Sequence, residues 1–449
     1  MPLARLNFRP KSYIPIATLI IAIPFLNWTN SPALSLAALS IAILLLAKKN
    51  FKIILALAFL IYSLWFASLS NLMIENGGYI LEQFRYGKEN GATCFLSFYS
   101  IAFLATCHVI LSKNLKNSPY PENQTQIYNK LRITILLMIA FYIAIITFYG
   151  TAISSGHDRF SYWDRLPPFL AQILKNIRAL HGPITAIFGY IYSSTPKIKK
   201  KKLTTLIILL HSILFLLGDK LTPFFTAAFF FVTGYSLSAI HRKTAIKIST
   251  KLLTKITLAA LLLTGILALG FIFQQKIEPS QVLSAFEQRL ILQGHVWYGI
   301  FDIVQNKGAI LSPDNLIYPN SPQSPSGLDS LSYIISDESF VRDRIARGIT
   351  FTMGGPAAPL ATMGIYLGAF AYSILGAFYS LIIYYSSIKL RRGQFLRALI
   401  SLTFLISLNS ITLMGNWYSI YNSASLIFFA FAAIDLLLKG KQTRPIITH

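Results

Sequence analysis

Charge is what this sequence has least of. Of its 449 residues, 12% are charged and 54% are hydrophobic, whereas soluble chains carry about 25% charged residues. That excludes an ordinary soluble domain, because most of the chain must face lipid or pack helix on helix. Cysteine is nearly absent. Cys94 and Cys107 fall in one apolar segment, Ala92 to Ser112, so no structural disulfide is expected and the redox compartment cannot be read from them. No His, Cys or Asp spacing resembles a metal site, and no metal or other cofactor is expected. Walker and Rossmann glycine patterns are missing, and so is a Gly-x-Ser-x-Gly nucleophile elbow. There is no low-complexity tract and no clear internal repeat. Inside the apolar runs His108 and His211 are the main ionisable groups. Transporters coupled to ions or protons usually need buried carboxylates along their path, which weakens that class.

Long apolar runs are what the sequence has instead. A helix needs about 20 apolar residues to cross the hydrocarbon core. Twelve candidates run roughly Tyr13–Trp28, Pro32–Ala47, Ile53–Ile74, Ala92–Ser112, Ile133–Ala152, Ile184–Ser194, Leu203–Leu217, Pro223–Ile240, Ile256–Phe273, Pro356–Ser386, Phe395–Leu413 and Ser419–Leu438. The tenth is long enough to be tilted or broken. Arg5, Arg9 and Lys11 precede the first run as in a signal peptide, but the second begins at Pro32, so a retained signal anchor is expected. The fold class expected is all-α: a polytopic transmembrane bundle of about twelve spans, one integral membrane domain over residues 1–449, with two larger outer loops.

The formal charge of +24 invites a nucleic-acid reading, but its placement argues otherwise. Every second loop is basic, and with the N-terminus those segments hold 27 of the 40 Lys and Arg residues. Only Glu122 and Asp435 among the 16 acidic residues fall on that side. Lys and Arg mark cytoplasmic loops, so both termini are expected in the cytoplasm and no nucleic-acid partner is expected. On the other side, Glu75 to Gly91 is a medium loop, and residues 153–182 and 274–355 are the large ones.

Four elements on that outer side could carry chemistry. Ser336 to Arg347 gathers Arg342, Arg344 and Arg347, and forked guanidinium donors match phosphate oxygens; a merely solvated charged helix is the alternative. The helix-like run from Pro279 to Asn306 holds Arg289, His295, Trp297, Tyr298 and Asp302. At helical spacing His295, Tyr298 and Asp302 share a stripe, fit for a sugar-binding acid/base site or for an interfacial helix. The earlier large loop reads His157-Asp158-Arg159-Phe160-Ser161-Tyr162-Trp163-Asp164-Arg165, a mixture of aromatic and charged groups suited to carbohydrate and phosphate or to the membrane interface. Gly218-Asp219-Lys220 places two charges at a tight turn between apolar spans, where charge tends to be functional.

These features resemble the O-antigen polymerases of the Wzy type within the O-antigen polymerase/ligase superfamily. Gly218-Asp219-Lys220 with Thr222 is similar to the family's Gly-x-Arg/Lys element, with Lys220 where Arg is commoner. Arg344 to Gly355 has the spacing of its Arg-x10-Gly motif; no such spacing lies wholly within the earlier loop, residues 153–182. The resemblance implies a GT-C-like membrane glycosyltransferase in the bacterial inner membrane, with its large loops in the periplasm. It implies transfer of a growing glycan from undecaprenyl diphosphate onto a new lipid-linked repeat unit, with membrane lipids around it and a chain-length regulator as a further partner. Under it, Arg289, His295, Asp302 and Arg344 are the catalytic candidates, and the base stays open among His295, Asp302, His157 and Asp158. Lys220, Arg342 and Arg347 are candidates for the diphosphate. His157, Asp158, Arg159, Trp163, Arg165 and Trp297 are candidates for sugar or acceptor. The sister O-antigen ligase and a polysaccharide flippase are the alternatives.

Overall fold

Runs of apolar residues without internal proline favour helix, and in lipid a helix satisfies its own backbone hydrogen bonds. The computed structural model follows that rule. It describes residues 31–115, 124–152, 159–219, 222–244, 278–318, 325–346 and 353–442. The expected spans Tyr13–Trp28 and Ile256–Phe273 lie outside them.

In chain order the helices are α1 (Pro32–Ala56), α2 (Ala58–Glu75), α3 (Ala92–Leu115), α4 (Gln124–Tyr149), α5 (Arg159–Asp164), α6 (Pro168–Ala179), α7 (His181–Tyr192), α8 (Lys197–Leu216) and α9 (Thr222–His241). They continue as α10 (Val282–Ile291), α11 (His295–Lys307), α12 (Asp314–Ile317), α13 (Leu328–Ile335), α14 (Glu338–Ala346), α15 (Ala357–Arg391), α16 (Phe395–Asn409) and α17 (Ser423–Gln442). Among the described residues the only strands are β1 (Tyr79–Ile80) and β2 (Arg85–Tyr86), an antiparallel pair. Among the described residues seven helices are long and apolar enough to cross a membrane: α1, α2, α3, α4, α9, α15 and α16 with its extension to Met414.

Boundaries differ from the sequence expectation where a loop stays helical. The basic segment 48–52 is helical apart from Asn50, at φ −157 and ψ 88. The chain folds back there, because Trp65 Nε1 donates to Ser40 Oγ at 3.0 Å across the two arms. The expected span Ile184–Ser194 is α7, only 12 residues long, or about 18 Å. Its place is secured by packing against α9. Gly189 lies on the backbone of Phe231, and Gly234 lies on the carbonyl of Ala186. Two small residues let the helix backbones touch.

The two ends of the bundle are chemically distinct. At the basic end Lys52 Nζ donates to Ala239 O, His241 meets Ser387, and Asp435 binds Lys389 and Arg397. This explains Asp435, one of the two carboxylates that fall on the basic side. At the opposite end the Arg178–Asp219 and Arg85–Asp302 pairs tie the outer segments together.

The long tenth run is broken. Gly364 sits at φ +73 and ψ −172 inside α15, a conformation essentially confined to glycine. The interruption leaves carbonyls that other groups fill. Ala361 O accepts from the amides of Ile310 and Leu311 at 2.8 and 3.1 Å, and the buried Tyr99 hydroxyl donates to Ile365 O at 2.7 Å. Irregular backbone at membrane depth survives only where protein satisfies it. Tyr99→Phe should therefore lower stability by about 1 kcal/mol, read as a lower melting temperature in detergent. An unchanged melting temperature would show that Ile365 O has another donor.

Candidate functional site

The segment after α2 builds a polar cluster at the end of the bundle opposite the basic one. Gly77 and Gly78 let the chain leave the helix, and Gly87 returns against the backbone of Ile74, where no Cβ fits. Between them the hairpin carries Glu82, Gln83 and Arg85 toward α11, and Lys88 follows directly. The α11 stripe of His295, Tyr298 and Asp302, spaced at i, i+3 and i+7, then engages the hairpin along its length. Gln83 Nε2 donates to His295 O at 2.9 Å. The Tyr298 hydroxyl donates to Lys88 O at 3.0 Å and accepts from Lys88 N–H at 2.8 Å. Arg85 pairs with Asp302 at 2.8 Å, with Lys88 Nζ 3.9 Å from the same carboxylate. Arg85 also lies 5.4 Å from the centre of the Tyr298 ring.

Glu82 is the second node. Its Oε2 lies 2.8 Å from His295 Nε2, and its Oε1 lies 3.3 Å from Arg344 on α14. The Arg344 guanidinium rests 5.0 Å from the Phe340 ring centre, and Phe340 meets Phe84 edge-on at 5.2 Å. Phe84 itself sits at φ 50, an unusual conformation for a bulky residue. The side chains of Arg85 and Arg344 are 38% and 24% exposed, whereas Glu82 and Asp302 are 5% and 12% exposed. The guanidiniums are thus more exposed than the carboxylates that hold them.

The other candidate residues take the following places. His295 is fully buried, with Nδ1 donating to Leu292 O at 2.9 Å and Nε2 against Glu82. Both ring nitrogens thus face protein groups inside the fold. Asp302 likewise is an anchor for Arg85. Burial pushes its carboxyl up, but hydrogen bonds from Arg85 and Asn90 and the charges of Arg85 and Lys88 outweigh this and hold it below its ordinary value of 3.8. Trp297 is buried, its Nε1 donates to Ala92 O at 2.8 Å, and it packs on Tyr99 and Phe301. Trp163 is also buried, under the Arg178 guanidinium at 5.5 Å. Arg342 belongs to an exposed pair with Glu338 at 2.5 Å and stands apart from Glu82. Arg289 and Arg165 are exposed. Arg159 opens α5, and its side chain lies outside the described residues, as do His157, Asp158, Lys220 and Arg347.

The depressed Asp302 carboxyl fixes the sign of a pH effect. Its folded value lies below its unfolded one, so its contribution is complete above about pH 4 and is lost as pH falls through the folded value. The melting temperature of the wild type should fall more steeply below about pH 4 than that of Asp302→Asn. Parallel curves would show that the Arg85 pair contributes nothing.

Sequence reasoning missed Glu82, Arg85, Lys88 and Arg178. A signal existed: Arg85 and Lys88 are cations on the side where carboxylates predominate, against the trend of the chain. Glu75 is a different case. It accepts from the amides of Asn90, Gly91 and Thr93 at 2.6–3.3 Å and caps the start of α3, a favourable place for an anion.

A second polar group lies between α4, α7 and α8. Arg178 pairs with the buried Asp219 at 2.6 Å. Inside them the Tyr142 hydroxyl meets His181 Nε2 at 2.8 Å, and the His181 and His211 rings stand perpendicular with centres 5.0 Å apart. His211 Nδ1 donates to Ile207 O at 2.8 Å. Among the described residues no group of three or more His, Cys, Asp or Glu side chains could hold a metal ion.

A protein family described as a family of unknown function (DUF6418) matches residues 321–429. That stretch covers α13, α14, the broken α15, α16 and the beginning of α17. No curated protein and no solved structure matches the chain.

Proposed function

We propose that the chain is a bacterial surface-polysaccharide polymerase of the inner membrane, with about twelve spans, cytoplasmic termini and the carboxylate-rich end in the periplasm. On this reading it transfers a growing glycan from undecaprenyl diphosphate to a new lipid-linked repeat unit. The observation that carries it is the pair of partly exposed guanidiniums, Arg85 and Arg344, fixed by buried carboxylates above an apolar helical bundle. A lipid-linked diphosphate has a chain that needs the apolar bundle and a headgroup that needs forked cations. Fixed donors at the leaving oxygen stabilise the charge that builds there as the glycosidic bond breaks. The distribution of Lys and Arg supports the orientation.

The test is a lipopolysaccharide gel on a deletion strain of the source bacterium, with and without the complementing gene. A polymerase leaves lipid A-core capped by a single repeat in the deletion and restores the ladder on complementation. Full-length chains retained on the lipid carrier would assign the ligase reaction instead. An unchanged ladder would remove O-antigen as the substrate.

A further inference from the structure

Polymerisation at this site needs a group to take the proton of the acceptor hydroxyl; among the described residues His295 and Asp302 each face protein partners, while His157 and Asp158 lie outside the described residues. We propose that Glu82 is that base, unmasked when the donor diphosphate draws Arg344 away from it. The inference rests on the polymerase reading above and names a catalytic residue for it.

The geometry behind it is specific to this carboxylate. Its two oxygens are divided between two partners of unlike burial. Oε2 faces His295, which is fully buried and fixed by Leu292 O. Oε1 faces Arg344, which is 24% exposed and stands on α14, a helix whose only buried side chain among the described residues is Val341. The inner partner keeps Glu82 in place, while the outer partner covers it with a weak contact of 3.3 Å. A diphosphate outside the cluster offers Arg344 more negative charge and a bidentate geometry than one carboxylate oxygen does. Turning Arg344 outward opens Oε1 beside the anion just bound, which is where the sugar attached to that anion must lie.

The step balances as follows. The acceptor hydroxyl oxygen bonds to the anomeric carbon of the donor sugar, and the bond from that carbon to the diphosphate oxygen breaks. The bonding pair leaves on the diphosphate, facing Arg344 and Arg85, and the hydroxyl proton moves to Glu82 Oε1. The closed Arg344–Glu82 pair keeps the base covered when no donor is bound, so the cluster is idle without its substrate.

The experiment uses full-length protein in detergent, lipid-linked repeat units extracted from a polymerase-deficient strain, and geranylgeranyl diphosphate as a binding probe. Glu82→Gln should lose at least about 10²-fold in elongation rate, the usual scale of a general base. It should still show the rise in melting temperature that geranylgeranyl diphosphate gives the wild type, whereas Arg344→Ala should not. Added formate should restore part of the elongation by Glu82→Ala, which a purely structural carboxylate would not permit. Elongation by Glu82→Gln within a few-fold of wild type overturns the proposal alone. So does loss of both elongation and probe binding in Glu82→Gln with no rescue by formate. If the wild type binds the probe but joins no repeat units, the polymerase reading fails and this inference falls with it.

Discussion

Gly234→Leu is expected to abolish the folded protein. A Cβ at this position falls well inside the carbonyl oxygen of Ala186, and the next neighbours are also backbone atoms, so no flexible side chain can yield. Gly189 presses on Phe231 in the same way from the facing helix. Relief requires α7 and α9 to separate, and α7 has only 12 residues with which to hold its place. Separation would also disturb what α7 carries, including His181 against Tyr142 and the Tyr190 contact with His241. Overpacking in a rigid core costs about 1–3 kcal/mol, and a backbone clash at a helix crossing exceeds that. Size-exclusion chromatography in detergent should show aggregate and little monodisperse protein. Ala228→Leu is the control, because Ala228 is exposed on the same helix and should behave as wild type. A well-behaved Gly234→Leu variant would mean that the α7–α9 crossing is looser than described.

The membrane architecture was legible because hydropathy and charge alternate on the scale of a bilayer. The break in the tenth run was legible as excess length, but its position was not. Gly364 is one glycine among several, and what makes a break tolerable there is remote in sequence: the Tyr99 hydroxyl and the amides of Ile310 and Leu311. The site was legible in part for the same reason. The stripe of His295, Tyr298 and Asp302 follows from helical periodicity, but its partners come from a hairpin more than 200 residues earlier. A loop of medium length with a few charges says little by itself. Trp297 and Trp163 misled because an aromatic in an outer loop looks the same in sequence whether it covers a sugar or fills the core.

Within the arginine-rich segment the structure separates residues that sequence treats alike. Arg344→Ala is expected to remove the lipopolysaccharide ladder and leave single-repeat caps, while Arg342→Ala should leave the ladder intact. Arg342 and Glu338 are both largely exposed, at 73% and 69%, and such pairs contribute about 0–1 kcal/mol. Arg344 is held in place from two sides, by Glu82 and by the Phe340 ring, so its donors are already oriented for an anion. Removing one preorganised donor from a developing oxyanion typically costs about 10²–10³-fold in rate. Phe340→Ala should give an intermediate phenotype, because it loosens Arg344 without removing its charge. The measurement is a gel of each complemented strain, with membrane levels of each variant matched by immunoblot. A ladder from Arg344→Ala would detach the cluster from polymerisation. Loss of the ladder in Arg342→Ala at normal protein level would mean that the outer surface of α14 also meets substrate.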